Sequence, residues 1–147
     1  MATSKKKRYT SRDGICFVAL PHIVLDSIAF IRLSGPAVRL LLDIARQLNG
    51  KNNGRLVACS KYMAPRGWKS NDTLLRARRE LESSGLIMET RKGARPNRAT
   101  WYAITWDSLD WVPEMDIKRE QFQRSAYAKH TPLPPVPKTS ALYRQTV

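Results

Sequence analysis

Residues 70–85 specify both ends of one helix, and this constrains the fold of everything around them. Ser70 is an N-cap residue whose side-chain oxygen can accept from the first free backbone N–H groups. Gly85 supplies the left-handed residue that stops a helix. Between them Leu74, Ala77 and Leu81 form one buried stripe, flanked by Leu75. The spacing predicts a helix over 71–84. The pattern then changes period. Residues 86–91 read as a strand, with Leu86 and Met88 alternating against Ile87 and Glu89. Residues 92–98 form a loop with Gly93, Pro96 and Asn97, and 99–105 return as a second strand rich in β-formers.

Upstream, Ser60 is expected to cap a two-turn helix over 61–66, broken by Gly67, with Trp68 packed under the turn. Ser34 and Pro36 open a longer helix. Its predicted buried face is Val38, Leu41, Leu42, Ala45 and Leu48, widened by Leu40 and Ile44, and Asn49-Gly50 ends it. Residues 51–54 form a tight turn and 55–57 a very short strand. Pro21 opens a helix from 22 to about 30. Beyond Trp111 the pattern fades. Ile117, Phe122 and Tyr127 give weak helical spacing over 114–128, and the proline-dense run TPLPPVPK at 131–138 reads as extended. The chain divides into a basic flexible arm (1–14), a folded domain (15–112), and a short helix with a flexible proline-rich tail (113–147).

The net charge of +14 and the pI of about 10.4 favour a polyanionic partner. No apolar run reaches membrane-spanning length, and no helix pairs a broad apolar face with a lysine-rich one. The charged start, with Lys5, Lys6, Lys7 and Arg8, lacks the apolar core of an export signal, so a cytoplasmic, nucleoid-associated location is expected. The basic arm reads equally as a solvated tail or as a DNA-contacting arm.

Cys16 and Cys59 stand apart from each other and from ligand-spaced histidines. They are expected to be two small buried hydrophobes in a reducing cytosol, with no metal site. His22 and His130 carry no catalytic pattern, and no P-loop, GxSxG or HExxH occurs. No catalytic residue and no cofactor is therefore expected. The acids Asp107, Asp110, Glu114 and Asp116 are read as capping or solvating a helix start. Trp101, Trp106 and Trp111, at intervals of five, are read as core.

A short helix, a glycine-containing turn and a longer helix are the ingredients of a DNA-reading pair. The second helix packs on one side and presents polar groups on the other. Asn suits adenine and Arg suits guanine in the major groove, so Asn71 and Arg76 are the candidate base readers. Lys69, Ser70, Thr73 and Arg79 are candidate phosphate contacts near the helix N-terminus. Arginines on a helix are by themselves weak evidence, because RARRE also allows solvated i, i+4 pairs such as Arg76–Glu80 and Arg78–Glu82. The loop is the stronger signal. Lys92, Arg95 and Arg98 crowd it, with Asn97 at the tip and Arg91 at the base, and no acid follows until Asp107. Such uncompensated charge suits a phosphate backbone or a minor groove.

The run SNDTLLRARRELESSGLIMETRKG, residues 70–93, resembles winged helix-turn-helix proteins of bacterial, phage and mobile-element origin. The likeness is carried by the L-x-x-x-G-L-I ending from Leu81 to Ile87 and extends over about residues 17–106. It implies a mainly α fold with a small antiparallel β-hairpin. It also implies sequence-specific binding of double-stranded DNA, as a transcriptional regulator of a phage, plasmid or mobile element. Homodimerisation on a two-fold site is the usual geometry. Two other roles remain open: a replication or partition protein binding origin repeats, and an interaction adaptor whose proline-rich tail docks on a protein partner.

Overall fold

Two single-turn helices, α1 (His22–Leu25) and α2 (Ile28–Ile31), lie at the start of the computed structural model, which describes residues 14–129. The single helix expected over 22–30 is split at Ser27. That residue is extended, its side chain accepts from Phe30 N at 3.3 Å, and it donates to the Val24 carbonyl. A serine that can cap in this way competes with helix continuation.

The central helix α3 (Gly35–Ala45) starts as expected, with Ser34 as N-cap and proline in the first turn. The Glu80 carboxylate also accepts from the Ser34 N–H at 2.6 Å and from its hydroxyl at 2.7 Å. The buried face is Ala37, Leu40, Leu41, Ile44 and Ala45, whereas Val38 and Leu48 are half-buried and Leu42 is 41% exposed. The face is thus rotated from the one predicted. A polar clamp accounts for the rotation: Asp43 is buried and accepts from Trp68 Nε1 and from Arg66 Nε, each at 2.7 Å. Asp43 must point inward, and Leu42 is turned out.

The short helix α4 (Ser60–Met63) is followed by a 3-10 turn, Ala64–Arg66. Its N-cap is Cys59, without a side-chain bond, so the Ser60 cap is corrected by one residue. Trp68 lies under the turn as expected. The second helix of this pair, α5 (Asn71–Ser83), has Ser70 as N-cap, its oxygen accepting from Thr73 N at 3.2 Å. Leu74, Ala77 and Leu81 are its buried residues, and the helix packs on α3. Gly85 stops it at φ +76°, and a Cβ there would come within 2.9 Å of the Ala126 carbonyl.

Strands β1 (Ile87–Arg91) and β2 (Trp101–Ile104) pair antiparallel, from Ile87 opposite Ile104 to Arg91 opposite Trp101. An irregularity between Glu89 and Arg91 breaks simple alternation. Leu86, Ile87 and Thr90 are all buried and Met88 is half-buried, which corrects the expected two-residue pattern. The strand expected at 55–57 is reduced to one bridge, Leu56 to Tyr102.

Residues 106–129 return over this frame, so the packed chain runs past the boundary expected at 112. Ser125 N donates to the Thr105 carbonyl at 2.6 Å, and Tyr127 is buried in the common core. The helix expected over 114–128 is absent. Only 3-10 turns form, at Arg119–Gln121 and Ala126–Lys129. Asn53, expected in a tight turn, is buried. Its side chain donates to the carbonyls of Ile104 (3.1 Å) and Ser108 (2.9 Å) and accepts from Ile104 N (2.9 Å). Cys16 is exposed and Cys59 half-buried, both as free thiols, so the pair of buried cysteines is also corrected. Residues 1–13 of the arm, His130 and the proline-dense run lie outside the described residues. The described residues are thus mixed helical with a small two-stranded antiparallel sheet.

Candidate nucleic-acid interface

The candidate residues fall into two groups, at the start of α5 and around the β1–β2 connection. Lys69, Ser70, Asn71, Thr73, Arg76 and Arg79 are all exposed. Because α5 buries only its apolar stripe, its N-terminal turn faces solvent. Ser70 is occupied as the cap, which leaves its hydroxyl hydrogen available to a further acceptor. Arg76 pairs with Asp72 at 2.8 Å, not with Glu80, which is engaged at Ser34. Both side chains of that pair are largely exposed, 78% and 68%, so the pair is weak and readily exchanged.

The connection between the strands is closed by Ala94 and Arg98, whose backbones exchange hydrogen bonds at 2.8 and 2.9 Å. This presents Arg95 and Asn97 at the exposed tip, with Lys92 and Arg98 exposed beside it. The expectation of four uncompensated cations is corrected here. Arg98 Nη2 lies 3.1 Å from Asp116 Oδ1, and the other oxygen of Asp116 accepts from Lys92 N at 2.7 Å. Arg91 stacks on Trp101, 3.3 Å from the ring centroid, and donates to the Ala99 carbonyl at 2.9 Å. Burial, and then the Arg98 charge, lower its pKa below the ordinary arginine value. The side chains of Lys92 and Arg95 have no partner among the described residues.

Sequence reading missed Asp116 because it stands 18 and 24 residues from the groups it binds. The acids after β2 do not start a helix. Asp110 accepts from Asn53 N at 3.0 Å, Asp107 accepts from Ser108 N, and Asp116 clamps the hairpin. Of the three spaced tryptophans, Trp106 packs against the core, whereas Trp101 and Trp111 are half-buried supports for Arg91 and Arg119. Among the described residues, no cluster of His, Cys, Asp and Glu fits a metal ion, and no helix is long and apolar enough to cross a membrane.

Comparison with protein-family models, curated proteins and solved structures finds no match to this chain.

Proposed function

We propose that this chain is a winged helix-turn-helix protein. In this reading it binds double-stranded DNA sequence-specifically and regulates transcription for a phage, plasmid or other mobile element. The observation that carries the reading is the division of α5. Leu74, Ala77 and Leu81 fasten it to α3, while the side chains from Lys69 to Arg79 that can read or hold DNA stay in solvent. α5 enters the major groove by its N-terminal turn, with Asn71 on adenine and Arg76 exchanging Asp72 for guanine. The hairpin is the wing. Arg95, Asn97 and Lys92 meet the adjacent backbone or minor groove. Regulation follows from occlusion or recruitment, without catalysis. On a two-fold site, exposed Ile23 and Ile31 of α1 and α2 offer apolar contacts for a second copy.

Selection of bound duplexes from a random pool at physiological salt tests the reading. The expected result is an enriched motif, two-fold symmetric if two copies bind. A selected pool indistinguishable from the input would overturn it.

A further inference from the structure

Asp116 reaches the hairpin through three contacts. Its backbone N–H donates to the Thr90 carbonyl at 2.8 Å. Its carboxylate takes the Lys92 N–H at 2.7 Å on one oxygen and the Arg98 guanidinium at 3.1 Å on the other. A backbone amide beside a guanidinium is also the donor set that holds a phosphate oxygen. Arg91 stands apart from this pair, its guanidinium stacked on Trp101 and donating to the Ala99 carbonyl. The clamp lies at the surface, with the Arg98 and Asp116 side chains 46% and 49% exposed, so an anion from solution can replace the carboxylate without opening the core.

We propose that the Lys92 N–H and the Arg98 guanidinium form a phosphate-binding cradle, and that the Asp116 carboxylate occupies it when no phosphate is bound. The assignment of that phosphate to a DNA backbone rests on the reading above; the cradle itself is testable with the free ion. Asp116 is bonded to Thr90 through its main chain, so its side chain can leave while the segment stays attached. Displacing a carboxylate sets a threshold for binding. Any duplex can supply phosphate, but only one that also satisfies α5 repays the exchange. Asp116 thus sets an affinity threshold: displacing it costs the same on every duplex, so arbitrary DNA binds weakly while a duplex that also satisfies α5 stays bound.

The test compares the wild-type chain with Asp116→Ala and Asp116→Asn. Thermal melts are run in inorganic phosphate against chloride at matched ionic strength. Phosphate should raise the Tm of both variants about 2–4 °C more than that of wild type, as expected for a ligand present at several times its Kd. Adding Arg98→Ala should remove the response. Equal phosphate responses in wild type and variants would overturn the cradle. If Asp116→Ala fails to fold, Asp116→Asn carries the test, because it keeps an acceptor for Lys92 N without the negative charge. In a second arm, Asp116→Asn should bind random-sequence duplex several-fold more tightly, with a salt slope steeper by about one unit. A phosphate response without duplex binding by any of the chains would keep the cradle and overturn the DNA reading. Duplex binding with equal phosphate responses would do the reverse.

Discussion

Removing the Asp43 carboxylate should loosen the α4–α5 unit from α3 by an amount that the geometry sets. Asp43 lies on α3 and accepts from Trp68 Nε1 at 2.7 Å, and both residues are 7% exposed. Asp43→Ala leaves the indole N–H without an acceptor where water barely reaches. A charge-assisted bond contributes about 1.5–3 kcal/mol, and a stranded donor costs about 1–3 kcal/mol; these are overlapping descriptions of one loss, so about 2–3 kcal/mol is expected. The second partner, Arg66, is 40% exposed on its side chain and rehydrates, so it adds little. Urea unfolding followed by circular dichroism should show a lower midpoint with an unchanged m-value. A cycle with Trp68→Phe separates this bond from general damage. The double variant should lose less than the sum of the singles, with a coupling of roughly 1.5–3 kcal/mol. A coupling near zero would refute the clamp and, with it, the reason given for the rotation of α3.

Leu81→Ala should cost about 2–5 kcal/mol, because Leu81 is fully buried; chemical denaturation measures it, and a loss below about 1 kcal/mol would place the α3–α5 seam elsewhere. Gly85→Ala meets both a positive φ and the Ala126 carbonyl, so it should destabilise by more than about 1 kcal/mol, read as a fall in Tm. Arg76→Ala should relax base preference at one position by about 1–3 kcal/mol, which an unchanged profile across a randomised duplex library would contradict. Replacing Lys92 and Arg95 by alanine should lower the salt slope by about one unit for each phosphate that is no longer neutralised; an identical slope would mean that the hairpin tip stays off the duplex.

What was legible in the sequence was chemistry that acts over a few residues. Ser70 and Gly85 bracket α5 because a cap and a left-handed stop are local devices, and Leu74, Ala77 and Leu81 share its face through helical spacing. The β1–β2 hairpin was legible for the same reason. What escaped depends on distant partners. Nothing near Asp43 announces that Trp68 will bond it, yet that bond chooses among the apolar positions around α3. Asn53 sits among turn-forming residues, and nothing near it announces that Ile104 and Ser108 will present their carbonyls to it. Asp116 changed the candidate interface most, because the charge excess that suggested a polyanion is partly answered within the chain. Ser27 is a milder case: one hydroxyl in an apolar run was enough to divide a helix.

The return of residues 125–127 to the start of β1 also decides where mechanical load enters the molecule. Ser125 is bonded to Thr105, the Ala126 carbonyl lies against Gly85, and Tyr127 is anchored in the core. A pull applied at Lys129 therefore meets these contacts before it reaches the end of β2. It is delivered to the corner where α5 gives way to the hairpin, through Ser125 and the buried Tyr127. A force applied there therefore acts beside the junction of the helix and the hairpin, the two elements that carry the candidate interface.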